Sequence, residues 1–97
     1  MKIFSRGTLR DYWLLYPETQ IPLVSWYEIF SKNTFNNSNE IKSVFRNCSV
    51  VGNNNIVFNI CGNKFRLIVK FKYSAQFALV RFIGTHEEYD KIKADDV

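Results

Sequence analysis

From Asn55 to Ile83 the chain reads as three β-rich runs, Asn55–Cys61, Lys64–Tyr73 and Gln76–Ile83, separated only by turn residues. Turns this short fix the pairing register. Gly62-Asn63 suits a two-residue hairpin turn, and counting outward sets Cys61 against Lys64, Ile60 against Phe65, Asn59 against Arg66, Phe58 against Leu67 and Ile56 against Val69. Directly opposed residues share a face. One face collects Ile56, Phe58, Ile60, Phe65, Leu67, Val69 and Phe71; the other collects Asn59, Lys64, Arg66, Ile68 and Lys70. Closing the second hairpin at Ser74-Ala75 sets Phe71 against Ala78, Val69 against Val80, Leu67 against Phe82, Ile68 against Arg81 and Arg66 against Ile83. Arg81 thereby joins Arg66 and Lys70. A three-residue turn would flip the parity and push an unpaired Arg81 into the apolar set.

Charge is laid over this pattern unevenly. Between Ile41 and His86 there is no acidic residue, but there are Lys42, Arg46, Lys64, Arg66, Lys70, Lys72 and Arg81, in a chain whose net charge is only +4. Such a block repels itself and suits a polyanion or an acidic partner. Because it alternates like a sheet, it is not a disordered basic tail. The pI near 9.2 fits a nucleic-acid partner without requiring one.

The first half has helical spacing. Ser5 or Thr8 can cap a helix carrying Leu9, Tyr12, Trp13 and Tyr16, which Pro17 ends. Pro22 suits the first turn of a second helix with Leu23, Tyr27 and Phe30 on one stripe and Trp26 beside it. Asn37 with Glu40 resembles a capping box for a third helix, Ser38 to Phe45, burying Ile41, Val44 and Phe45. Lys2 to Phe4 reads as a short strand. Thr85 can cap a last helical turn, His86 to Ile92. The expected fold is α+β: two or three N-terminal helices on one face of a small antiparallel sheet, a short C-terminal helix, and the basic face open. Residues 1–97 form one domain, of a size that folds without staples.

Several classes are excluded. Apolar runs are too short to span a membrane, and the opening Met1-Lys2-Ile3-Phe4-Ser5-Arg6 lacks the apolar core of a secretory signal. Cys48 and Cys61 have neither zinc spacing nor a disulfide framework and read as free thiols of a reducing cytoplasm. Asp90, Asp95 and Asp96 read as an acidic tail without metal-site spacing. No metal and no cofactor is expected.

Val57 to Leu67 (VFNICGNKFRL) and Arg81 to Lys91 (RFIGTHEEYDK) carry a resemblance, supported by Ser5 to Trp13 and the Trp26-Tyr27 pair. Together they closely resemble the HigB toxin family of the RelE-like superfamily. Cys61 stands where that family commonly has glycine. The resemblance implies helices on one side of a small antiparallel sheet. It also implies an mRNA interferase that cuts message on the ribosome, and a HigA-like helix-turn-helix antitoxin that silences it.

RNA cleavage without a metal uses the RNA 2′-hydroxyl as nucleophile. The protein must remove that proton, stabilise charge on the phosphoryl oxygens and protonate the leaving 5′-oxygen. The single histidine, His86, excludes a two-histidine acid–base pair. His86 is the acid–base candidate, since its unperturbed range lies near neutrality. Arg66 and Arg81 would stabilise charge, Lys64, Lys70, Lys72 and Asn59 would line an RNA-binding face, and Tyr89 would partner His86 or stack a base. The resemblance favours Arg66, Arg81, His86 and Tyr89 as the catalytic set. From the residues alone, His86 also reads as a surface helix start, Tyr89 as packing for a short helix, and each lysine as part of a solvated face. A non-enzymatic toxin on the same fold, acting on gyrase or the ribosome, and a plain RNA-binding module are the alternative functions.

Overall fold

Residues Phe65 to Val69 are buried on both faces of the sheet, and the architecture follows from covering them. The computed structural model describes all 97 residues. In chain order they form β1 (Lys2–Phe4), α1 (Arg6–Leu15), a 3-10 turn (Pro17–Thr19), α2 (Gln20–Lys32), α3 (Ser38–Val44), β2 (Ser49–Val50), β3 (Asn55–Ile60), β4 (Phe65–Lys72), β5 (Phe77–Thr85) and α4 (His86–Tyr89). The sheet order is β1-β5-β4-β3-β2. The expected α+β class, N-terminal helices and C-terminal helical turn are all present. The pairs from β2 to β5 are antiparallel, and β1 adds to β5 in parallel, which makes the sheet mixed.

The first hairpin has the expected register along both strands: Ile60 opposes Phe65, Asn59 opposes Arg66 and Ile56 opposes Val69, while the expected Cys61–Lys64 pair lies within the turn. Its turn is built differently. Positive φ falls on Cys61 (54°) and Gly62 (66°), not on Gly62 and Asn63. A left-handed backbone at Cys61 costs a non-glycine residue about 1–2 kcal/mol, which explains why glycine suits the position. The Cys61 thiol donates to Glu18 O at 3.2 Å and recovers part of that cost.

The second hairpin begins as expected, with Phe71 opposite Ala78 and Val69 opposite Val80. A bulge then intervenes. Ile68 opposes Phe82, Leu67 opposes Ile83 and Arg66 opposes Gly84, so the pairings expected for Leu67, Ile68 and Arg66 are each displaced by one. Arg81 is the extra residue. A bulge sets two residues against one and re-aims the strand locally. Here it restores Ile83, which packs against the core, to the apolar face.

Helices cover that face through an aromatic interface. Phe30 packs on Trp26, Phe35, Phe45, Phe58 and Phe71, with centroids 4.7–5.7 Å away. The buried stripe of α2 is Leu23, Trp26 and Phe30, and Tyr27 is only half-buried. On α3 the Asn37 side chain accepts from the Glu40 N–H as expected, but Val44 is exposed, because the helix ends there and only Ile41 points fully inward.

The second sheet face departs from expectation. It is closed over the start of β3 and the centre of β4: Asn55, Val57 and Ile68 are buried, and Arg66 is only 8% exposed, while Asn59 is exposed. The C-terminal segment covers it, held by Asn55, whose Nδ2 donates to Ala94 O (2.9 Å) and Val97 O (3.3 Å), and by Asn53, which donates to Asp95 O. Five consecutive inward or covered residues leave no solvated face at the centre of β4, so the basic face is open only at Asn59, at the Lys70–Lys72 end of β4, and toward β5 and β1.

Phe30→Ala should lower the unfolding free energy by about 3–5 kcal/mol in chemical denaturation, the usual range for deleting a buried aromatic ring. Phe30→Leu, which refills most of the volume, should cost markedly less.

Candidate active site

The end of β5 runs directly into α4. Thr85 is both the last strand residue and the helix cap: its Oγ1 accepts from Glu88 N–H (3.2 Å) while Glu88 Oε1 accepts from Thr85 N–H (2.8 Å). The His86 N–H donates to Lys64 O at 2.9 Å, extending the β4–β5 ladder by one rung. His86 is thus anchored by its backbone on one side and opens a helical turn on the other.

That turn brings Asp90 under the imidazole. Nδ1 of His86 lies 2.9 Å from Asp90 Oδ2, and both side chains are about half exposed. An ionised carboxylate can only accept, so the proton of a neutral imidazole sits on Nδ1 and Nε2 carries the free lone pair. Asp90 had read as part of an acidic tail. Its spacing of four residues from His86 was the available signal, since that spacing places side chains together on a helix.

Arg66 stands on β4 opposite Gly84. A Cβ at Gly84 would meet Phe82 Cζ at 2.6 Å and Glu88 Oε1 at 3.0 Å, so a larger residue there would have to push aside the Phe82 ring and the Glu88 carboxylate that close over this row. The Arg66 guanidinium donates through Nη1 to Asn63 O (3.1 Å) and Phe65 O (3.2 Å), and through Nη2 to Asn63 Oδ1 (3.2 Å). It lies 5.6 Å from the centroid of the Tyr89 ring. It makes no ion pair. A buried guanidinium satisfied by neutral oxygens and an aromatic face keeps an uncompensated positive charge, with N–H donors to spare among its five.

Of the candidate residues, Arg66 and Tyr89 come together, with Asn59 paired directly across from Arg66; His86 opens the helical turn that carries Tyr89, but its side chain borders the cleft on the helical side, which includes neither Arg66 nor Tyr89. Arg81 does not sit beside Arg66. The bulge places it three residues before Gly84, roughly 10 Å along the strand, exposed and without an ion-pair partner. Lys64 leaves the face expected for it: its Nζ reaches Glu18 on the helical side, at 3.6 Å. There Tyr16, Glu18, Lys64, Thr85 and His86 line a cleft of about 400 Å³. Lys70 and Lys72 stand at the far end of β4, Lys72 roughly 20 Å from Arg66 by strand rise.

Other titratable groups are unsuited to act here. Tyr12 stacks on Tyr16 at 4.8 Å and packs edge-on against Phe65. Burial, and then Tyr16, Glu88 and Glu18, push its hydroxyl up to about 12. Burial raises both thiols as well; at Cys61 Glu18 adds to the rise and Lys64 opposes it, and at Cys48 Lys42 opposes it. Both cysteines are free.

A protein-family model described as HigB_toxin, the RelE-like toxic component of a toxin–antitoxin system, matches residues 19–92. The chain belongs to the HigB toxin family. Among curated proteins it is similar to the mRNA interferase toxin HigB of Escherichia coli K12, at 27% identity over 92 residues that span 93% of this chain and 88% of that protein. The mRNA interferase HigB of Shigella flexneri matches to the same extent. The mRNA interferase HigB of Escherichia coli O6:H1 is 27% identical over 94 residues, 95% of this chain and 91% of its own. The match includes Arg66, His86, Tyr89 and Asp90 of this HigB-family chain. No helix is long and apolar enough to cross a membrane.

The Tyr12 hydroxyl is buried without a hydrogen-bond partner. Tyr12→Phe should therefore be neutral or stabilising by up to ~1 kcal/mol at neutral pH. The folded-state value is raised above the ordinary 10.0, so the stability tied to neutral Tyr12 is complete below pH 10 and is lost as pH rises through about 12. Denaturation measured across that window should show the advantage of Tyr12→Phe over wild type widening.

Proposed function

We propose that this HigB-family chain is an endoribonuclease toxin that cuts mRNA held on the ribosome, using the RNA 2′-hydroxyl as nucleophile and no metal. The observation that carries this reading is the carboxylate-oriented histidine, carried on the same helical turn as Tyr89, whose ring lies against a buried, unneutralised arginine. The matched relatives bear the name mRNA interferase, which supports message as the substrate.

In the proposed reaction Nε2 of His86 takes the 2′-hydroxyl proton as the oxygen attacks phosphorus. The 2′-O–P bond forms as the P–O5′ bond breaks, giving a 2′,3′-cyclic phosphate and a 5′-hydroxyl. Asp90 holds the ring and stabilises the imidazolium that forms. Arg66 directs its unused N–H groups at the phosphoryl oxygens, where negative charge grows. The leaving oxygen needs a proton, and the Tyr89 hydroxyl, under Arg66 on the same turn as His86, supplies it. Arg81, exposed in the bulge, and Asn59, Lys64, Lys70 and Lys72 hold phosphates of the flanking chain. The site is shallow and half exposed, so the ribosome does much of the substrate positioning. A HigA-like helix-turn-helix antitoxin in the same cytoplasm would silence the toxin.

Under tightly controlled expression, primer extension should reveal new message ends and growth should stop. His86→Ala should reduce cleavage by about 10²–10⁴-fold, and Arg66→Ala by about 10²–10³-fold. Asp90→Ala should lower turnover with little change in substrate binding. Because His86 is the only histidine, nitrogen NMR reads its tautomer without ambiguity: Nδ1–H in the wild type, with the Nε2–H form growing in Asp90→Ala. Unchanged message ends and growth in the wild type would sink the nuclease reading.

A further inference from the structure

The corner of the sheet farthest from His86 combines aromatic rings and cations in register. Lys2 opposes Phe77, which opposes Lys72; in the next row Phe4 opposes Leu79, which opposes Lys70. Directly opposed residues share a face, and Lys70 and Lys72 are four and six residues along β4 from Arg66, so this is the face that Arg66 occupies. The C-terminal segment leaves this corner open: Lys2 and Lys72 are exposed, Phe4 is 42% exposed and Phe77 is half-buried.

The rings form a right-angled seat. Phe4 and Phe77 have centroids 5.3 Å apart and stand at 88°, and Lys2 Nζ lies 5.5 Å from the Phe4 centroid. Lys70, Lys72 and Phe77 also border a cleft of about 400 Å³ at the β4–β5 hairpin. None of Lys2, Lys70, Lys72 and Arg81 is paired with a carboxylate. Exposed aromatic faces among unpaired cations are the chemistry that holds single-stranded nucleic acid, by stacking on bases and by contact with phosphates. A protein partner would use the rings but would need acidic side chains to meet all four cations.

We propose that this corner is a docking platform for single-stranded RNA, in which Phe4 and Phe77 seat a base, Lys2, Lys70 and Lys72 hold phosphates, and Arg81 carries the strand toward Arg66. The inference rests on RNA being the substrate of the site at the other end of the sheet. The bulge is what makes the track continuous. It sets Arg81 between Leu79 and Gly84, midway from the platform to the cleavage end.

The test is binding of a short fluorescein-labelled RNA with 2′-O-methyl riboses, which cannot be cleaved, measured by anisotropy over a salt series. Phe77→Leu and Phe4→Leu keep the apolar bulk and should each weaken binding by about 5- to 100-fold, while Phe77→Tyr should retain it. Lys70→Ala and Lys72→Ala should each reduce the salt slope by about 0.7. Leucine variants that bind like the wild type, or an abasic strand that binds as tightly as the intact one, would overturn the platform. Platform-dependent binding by a wild-type protein that cuts no message would instead overturn the nuclease reading and leave the platform standing. Cleavage that survives with unaltered binding in the leucine variants would do the reverse.

Discussion

Everything in this molecule is arranged around a central strand that can face water on neither side. From Phe65 to Val69, β4 is enclosed. One covering is the aromatic layer centred on Phe30, which the helices supply. The other is the C-terminal segment, pinned through Asn55. A strand buried on both faces ordinarily reads as an unbroken apolar run. This one carries an arginine in the middle of the enclosed stretch, and the desolvation of Arg66 has to be met by the oxygens of Asn63 and Phe65 and the ring of Tyr89. A cation kept dry in this way exerts a stronger field on any anion beside it than the same cation in water. The packing problem of β4 and the electrostatics of the site therefore share one cause.

The bulge at Arg81 distributes the remaining charge. Without it, regular alternation would set Arg81 opposite Ile68, one same-face row from Arg66, and the two guanidinium groups would lie close together. The extra residue shifts Arg81 along the strand and lets Ile83 return to the core while Gly84 faces Arg66. The face is then graded: a buried cation and the histidine at one end, an exposed arginine midway, lysines and aromatic rings at the other.

Much of this was legible in the residues. The alternation of Ile56, Phe58 and Ile60 against Phe65, Leu67 and Val69 specified the first hairpin pair by pair, because a slip of one would have turned every apolar side chain outward. The capping of α3 by Asn37 and of α4 by Thr85 was equally readable, since both depend on side chains three residues apart. The bulge was not readable. Alternation around Arg81 and Phe82 fits a regular strand just as well, and only the need to return Ile83 inward selects the irregular one. The covering of β3 and β4 was hidden for a different reason. The segment from Asp90 to Val97 is polar, and it is held by backbone carbonyls that accept from Asn53 and Asn55, which leave no hydrophobic period in a sequence. Lys64 was misplaced because its partner, Glu18, is far away in the chain. Of the expected catalytic set, Arg66, His86 and Tyr89 lie toward the α4 end of the sheet and Arg81 stands apart in the bulge, whereas Asp90, which holds the His86 ring, reads in the sequence only as part of an acidic end.

His86 occupies a joint without slack. Its amide continues the sheet, Thr85 before it is simultaneously strand and cap, and Asp90 fixes its ring from the next turn. No loop separates the histidine from the sheet, and no hinge residue intervenes. On the reading proposed above, a histidine held this stiffly cannot swing to meet its substrate, so the scissile phosphate has to be brought to it.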